Sequence, residues 1–454
     1  MRENGCFAIR VSAAAILILS LVQTSHASDK GDSDTSTKQL LQLKNPTSWL
    51  ELGADFRFRI TYDEARKLDQ NAIGHDRVES RYRGRFKAKI KYSQDLDFNI
   101  QLITEPRYYH RPPSLKKQFI RNEILFNQLN FVLRNAFGSD TVLTVGRQEL
   151  KLGSGWLISD GTPLDGSRTN FFNAVRATYE MPQWNTTVDM IWIENHGDSA
   201  KWLKPFNDQD IDLAEQDERG AIVYLSKQRG EDSRLDGYFI YKQDHNRRIS
   251  SGYQGEIYTF GVVLAGRLDD NWTYVIEAAP QFGHKNGKKL NALGSNNQLT
   301  YDFRDGNKNK VSFGYEYLSG NDDQDKYFDK VWGRIDTWSV LYQGTIDSID
   351  GRAYDNSNLH RIYLSWAAEP WQNTCIQVAY NLLFADENTS QGGTGGLSKS
   401  GNFRGQLLRA QIEQKISKSL SHRLEGELFI PGDYYNDDRN DVAVFARYGI
   451  TWTW

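Results

Sequence analysis

Residues 79–92 read ESRYRGRFKAKIKY. Every odd position is charged: Glu79, Arg81, Arg83, Arg85, Lys87, Lys89 and Lys91. The even positions are Ser80, Tyr82, Gly84, Phe86, Ala88, Ile90 and Tyr92. A period of two marks an extended strand, whose side chains alternate between faces. One face of this strand is a row of cations and the other is largely apolar. It needs water on one side and a greasy medium on the other.

The pattern extends in both directions. In 50–62 the even row is Leu50, Leu52, Ala54, Phe56, Phe58, Ile60 and Tyr62, and the odd row is Glu51, Gly53, Asp55, Arg57, Arg59 and Thr61. Alternation predicts strands over 49–62, 77–92, 96–108, 122–134, 140–150, 171–182, 185–195, 218–228, 233–244, 255–267, 271–283, 289–303, 309–318, 358–369, 373–385, 403–417, 421–431 and 441–454. The segments 122–134, 140–150 and 289–303 alternate poorly, and 334–343 could replace or add a strand. The connections alternate too. Short ones such as 93–95 and 182–184 follow long ones such as 63–76, 151–170 and 319–357. Short turns on one rim and long loops on the other belong to an outer-membrane barrel.

The expected fold is therefore all-β: a transmembrane, antiparallel, up-and-down barrel of about 18 strands with short periplasmic turns and long extracellular loops. Hydrocarbon cannot satisfy backbone N–H and C=O groups, so the sheet must close. The competing reading is a soluble β-sandwich, which has little use for so many inward charges or such even strand lengths. Aromatics near strand ends (Trp49, Tyr62, Tyr92, Trp184, Trp192, Trp272, Trp371, Trp452) suit interfacial girdles. The chain ends VAVFARYGITWTW (442–454), an unbroken apolar row expected to pair with the first strand and close the cylinder.

The 454 residues carry a formal net charge of -3, which gives no reason to expect nucleic acid. Residues 1–27 have the parts of a secretory leader: Arg2 and Arg10, a short apolar run from Val11 to Val22, and Ser25-His26-Ala27 as the peptidase site. An uncleaved anchor is the alternative, but the run is too short to span a bilayer. Cleavage is expected near Ala27, leaving 28–48 as a flexible periplasmic lead-in and 49–454 as the barrel in the outer membrane. Cys6 departs with the leader and Cys375 is left alone, so no intrachain disulfide is expected.

If Tyr92 pairs with Leu96, then Lys91 faces Asp97 and Arg83 faces Glu105. Arg57 and Arg59 join the ladder of Arg81, Arg83, Arg85, Lys87 and Lys89. Such a row either concentrates anions in a wet lumen or braces the wall through cross-strand pairs. Further inward cations are Arg176, Arg361, Arg409 and Arg447, set against Asp189, Glu277, Glu316, Glu413, Glu425 and Glu427. The early strands form a basic arc and the later ones a mixed arc.

The sequence contains no Gly-x-Ser-x-Gly, His-Glu-x-x-His, Cys-x-x-Cys or phosphate-binding Gly loop, so no enzyme and no cofactor is expected. The acidic loop with Asp322, Asp323 and Asp325 offers oxygen ligands for a hard cation, although its spacing matches no calcium loop and a solvated loop explains it better.

The stretch VGRQELKLGSGWLISDGTPLDGSRTNFFNAVR (145–176) resembles the alginate-export family of outer-membrane barrels, with Gly146-Arg147-Gln148, a Gly-rich loop, and Arg168 leading Phe171, Phe172 and Arg176. YEYLSGNDD (315–323) and WAAEPWQN (366–373) resemble further blocks of that family. The resemblance implies an eighteen-stranded channel whose basic lumen passes an anionic uronate polymer. Arg147, Arg168 and Arg176 become candidates for polymer contact, with loop anchoring as their alternative role. The implied partners are outer-membrane lipid and lipopolysaccharide, an anionic polysaccharide or small anionic solute, and a periplasmic scaffold of a secretion complex. A diffusion porin for small anionic sugars or organic acids is the other functional expectation.

Overall fold

In a computed structural model the described residues are 44–64, 76–112, 115, 118–159, 171–207, 211–248, 252–333, 338–346, 356–388, 397–437 and 440–454. The expected leader, most of the lead-in and Arg168 lie outside them.

The alternating rows form β1 (Leu50–Glu64), β2 (Asp76–Lys91), β3 (Leu96–Thr104), β4 (Arg107–Arg111), β5 (Leu125–Ala136), β6 (Thr141–Gln148), β7 (Phe172–Met181), β8 (Thr186–Asn195), β9 (Asp217–Arg229) and β10 (Ser233–His245). They continue as β11 (Gly255–Arg267), β12 (Trp272–Lys285), β13 (Lys288–Asp302), β14 (Lys310–Leu318), β15 (Leu359–Trp371), β16 (Thr374–Phe384), β17 (Phe403–Lys415), β18 (Leu420–Pro431) and β19 (Ala443–Thr453). β3 and β4 are two halves of one stave, both paired to β2. Pro106 sits at the break, where a residue without an N–H cannot continue the ladder. The barrel thus has eighteen antiparallel staves. β1 pairs with β19 from Asp55↔Thr453 to Glu64↔Val444, so the sheet is closed and its last strand seals it.

Burial is inverted relative to a soluble protein. Phe56, Phe86, Val175, Phe260, Val262, Ile276, Phe313 and Leu364 are exposed on the outer face, while Arg57, Arg83, Asp97, Glu316, Arg361, Glu425 and Arg447 are buried inside. Trp49, Tyr92, Trp184, Trp371 and Trp452 are exposed near the rim of short turns, as an interfacial belt requires. The poorly alternating segments are strands nonetheless, because closure forces pairing on both edges even where side chains give a weak signal. Residues 338–346 are not a strand. Val340 and Leu341 begin a helical turn that continues as a π-helix from Tyr342 to Ile346. The alternation there is helical packing against the wall, where Tyr342, Gln343 and Ile346 are buried.

Two long loops fold inward. Residues 149–159 follow β6, and residues 319–333 and 338–346 follow β14. They zip together: Trp332 N–H donates to Leu157 O (3.1 Å), and Ile158 bridges Trp332 in parallel. Their large rings are seated on the wall. The Trp156 indole N–H donates to Glu316 (2.8 Å) and the Trp332 indole N–H to Glu218 (2.9 Å). Phe328 stacks on Trp156 with centroids 5.8 Å apart. Buried indoles need such acceptors. The wall provides room through inward glycines: a Cβ on Gly220 would lie 2.2 Å from Trp332, and one on Gly294 2.5 Å from Phe328. An apolar core thereby fills the outer half of the lumen.

Candidate functional site: a basic lumen wall

The register stacks like charges. Arg57 lies opposite Arg83, and Arg59 opposite Arg81. Directly opposed cations repel, so acids must intervene. Glu105, at the Pro106 break, takes Arg57 and Arg59 at 3.4 Å each and Arg81 at 2.7 Å. Asp55 takes Arg83 (3.2 Å) and Arg85 (2.7 Å). These two carboxylates therefore sit among five guanidiniums. Nearer the short turns Lys89 and Arg134 meet on Asp97 (3.2 and 2.5 Å), and Lys91 pairs with Glu51. Lys87 lies across Gly53, whose absent side chain makes the space, and it has no carboxylate within ion-pair distance among the described residues.

The strands that flank closure bring part of this row to a cavity of about 200 Å³ lined by Arg57, Arg59, Arg83, Arg423 and Arg447, with Glu413 as its acid. Gly449, opposite Arg59, helps open it: a Cβ there would lie 3.3 Å from the Arg59 side chain. Arg423 is tied to Glu413 at 2.6 Å. Arg447 is held by Glu425. Arg423 shares the inward row of Glu425 and Glu427, so the same alternation that found those acids points to it.

The other predicted residues fall in different surroundings. Arg147 is buried against the neighbouring strands. It donates to Asn173 Oδ1 (2.9 Å) and Phe126 O (3.0 Å) and lies 3.5 Å over the Phe171 ring. Its hydrogen-bond partners stand on β7 and β5, and the side chain is buried. Arg176 pairs with Asp189 at 2.7 Å on the early wall. Arg361 pairs with Glu316 (2.9 Å), and Arg409 with Glu425 (2.6 Å). In the acidic loop Asp323 and Asp325 converge on Lys288 (2.8 and 3.2 Å) and Asp322 faces Lys326 at 3.8 Å. No group of three His, Cys, Asp or Glu able to hold a metal occurs among the described residues. A lysine from β13 supplies the countercharge that a cation would bring.

Buried lysines of the outer half, unremarked in the sequence, hold the inserted loops. Lys330 lies 3.3 Å from Glu316, Lys285 3.1 Å from Asp329, and Lys242 3.0 Å from Asp244. Lys285 and Lys330 each join a strand to the inserted loop, which strand periodicity could not reveal, whereas Lys242 and Asp244 stand two positions apart on one face of β10.

A closed barrel with an apolar exterior and an ion-rich lumen defines an outer-membrane channel. A family model for alginate export matches residues 48–447, and the chain belongs to that family. Among solved structures the fold is similar to OccAB3 of Acinetobacter baumannii (TM-score 0.57, 12% identity, covering 89% of this chain and 99% of that one). It is also similar to OpdQ of Pseudomonas aeruginosa (TM-score 0.56, 11% identity, 89% and 97%). At such identities the likeness is one of fold. No curated protein matches the sequence.

Proposed function

We propose that the channel passes an anionic polysaccharide, an alginate-like uronate polymer, along the arginine-lined side of its lumen. The observation that carries this reading is the 200 Å³ cavity lined by five guanidiniums, in a wall where Arg57, Arg59 and Arg81 share Glu105 and Arg83 and Arg85 share Asp55. A low-dielectric wall focuses that excess and raises the local concentration of anions. Guanidinium forks grip carboxylates at two points, which suits a polymer bearing one carboxylate per sugar. A leader cleaved near Ala27 delivers the chain, lipopolysaccharide surrounds the barrel, and a periplasmic scaffold hands over the polymer.

Planar-bilayer recording tests this reading. The expected result is anion selectivity in a salt gradient and current block by uronate oligomers. Cation selectivity would overturn it. Diffusion of small anionic sugars or organic acids is a second reading, favoured by the aromatic loops that occupy the outer half of the lumen. Block by monomers as strong as block by oligomers would decide for it.

A further inference from the structure

A second cavity, of about 290 Å³, opens on the same wall between β15, β16 and β17. Trp338 of the inserted loop, Arg361, Tyr363, Asn381, Arg409 and Gln411 line it, and no carboxylate does. Both arginines are fixed in place. The Arg361 guanidinium lies between two rings, 4.6 Å from Trp338 and 4.3 Å from Tyr363. Tyr363 can lie flat there because its partner is Gly314, where a Cβ would come within 2.1 Å of the ring. The edge of Arg361 is held by Glu316 through Nε (2.9 Å) and by Asn381 through Nη1 (3.3 Å). Arg409 is held by Glu425 through Nε (2.7 Å) and by Gln411 through Nη2 (2.9 Å). Nη2 of Arg361 and Nη1 of Arg409 have no hydrogen-bond partner among the described residues. Arg361 itself is 6% exposed.

The two cavities are neighbours on the wall. Gln411 lines one and Glu413 the other, two positions apart on the same face of β17, which is about 7 Å along the strand. Glu425 lies between them and holds one guanidinium from each, Arg409 from the second cavity and Arg447 from the first. We infer that the second cavity is a subsite for one carboxylate-bearing sugar unit and that the two cavities form a track for neighbouring units of a single polyanion. Pinned guanidiniums lose little freedom on binding, and Asn381 and Gln411 supply amides for sugar hydroxyls. A chain that fills both cavities binds its second unit at high effective concentration, whereas a monomer gains nothing from the neighbouring cavity. This inference rests on the anionic-polymer reading and extends it to a binding length.

The test is a residence-time measurement in planar bilayers with mannuronate monomer, tetramannuronate and neutral maltotetraose. Wild-type channels are expected to hold the tetramer at least roughly a hundredfold longer than the monomer and to show no block by maltotetraose. Arg361→Lys keeps the charge but removes the fork, and Arg447→Lys does the same in the first cavity. Each single variant is expected to cut tetramer residence at least tenfold. The double variant is expected to fall little further, because one lost cavity already ends bivalent contact. Heat-modifiable migration on gels confirms that each variant is folded, and Gln411→Ala probes the side of the second cavity nearest the first without touching a charge. Tetramer residence unchanged in Arg361→Lys and Gln411→Ala, or equal residence of monomer and tetramer, in a channel that is still anion-selective, overturns the two-cavity track alone. Loss of anion selectivity in the wild type would overturn the parent reading instead.

Discussion

Glu427, on the wall at β18, accepts the backbone N–H of Val340 at 2.8 Å, and its other oxygen accepts Leu341 N–H at 3.1 Å. The Ser339 hydroxyl donates to the same carboxylate. A carboxylate from the wall thus caps the first turn of the helix carried by the inserted loop, where unsatisfied N–H groups and the helix dipole favour negative charge.

Removing that cap should loosen the loop and widen the path. Glu427→Ala leaves the first turn without its acceptor at a cost of about 2 kcal/mol, which raises the undocked fraction about thirtyfold. Single-channel recordings should show larger and noisier openings. Glu427→Gln keeps an acceptor oxygen and should lie between. Conductance identical to wild type in the alanine variant would refute the docking role.

Glu105 is the acid on which three arginines meet. Glu105→Gln removes its charge while keeping its shape, so Arg57, Arg59 and Arg81 repel one another with less compensation. A loss of roughly 3 kcal/mol in barrel stability is expected, seen as a lower temperature of gel-mobility change. Anion preference in a salt gradient should rise at the same time, since the lumen loses a negative charge. A fall in anion preference would contradict the assignment of these arginines to the conduction path.

The wall glycines make a separate prediction. At Gly294 the Phe328 ring occupies the place of a side chain. Gly294→Val therefore forces the ring away and unpacks its stack on Trp156, costing about 1–3 kcal/mol. External protease should then cut within 319–333 at least several times faster than in wild type, with the barrel intact.

These glycines also show what could and could not be read from sequence. Period-two alternation placed Arg57, Arg83, Arg361 and Arg447 on the inward row because pleat and closure are local rules. It also predicted that Lys91 faces Asp97, and the register agrees. It could not show that Gly220, Gly261, Gly294 and Gly314 are seats for Trp332, Tyr238, Phe328 and Tyr363, because the occupants come from other strands or loops. Pro106 was visible as a residue, but the consequence of its break, a carboxylate at Glu105 free to serve three cations, depends on β1 lying alongside. The same holds for Arg147. Its motif was legible, whereas its burial under Phe171 depends on the fold of the following loop. The convergence of Lys288 with the acidic loop was not legible either.

That convergence sets a pH dependence. Burial pushes the Asp323 carboxyl up, but hydrogen bonds from Lys288 and from the Asp325 N–H outweigh it, and the group is held below its ordinary value of 3.8. A carboxyl depressed by folding stabilises the folded loop at every pH above that ordinary value, and the contribution disappears as pH falls through the lower, folded value. The acidic loop should thus stay docked on β13 from neutral pH down to about pH 4 and release in stronger acid. Hydrogen exchange of the 319–328 amides, compared between pH 7 and pH 3 after correction for intrinsic rates, reads this directly. Lys288→Gln removes the partner and should give the released pattern at both values. Equal protection in the variant and the wild type at pH 7 would show that the loop is held by its rings and backbone bonds, with the ion pair a bystander.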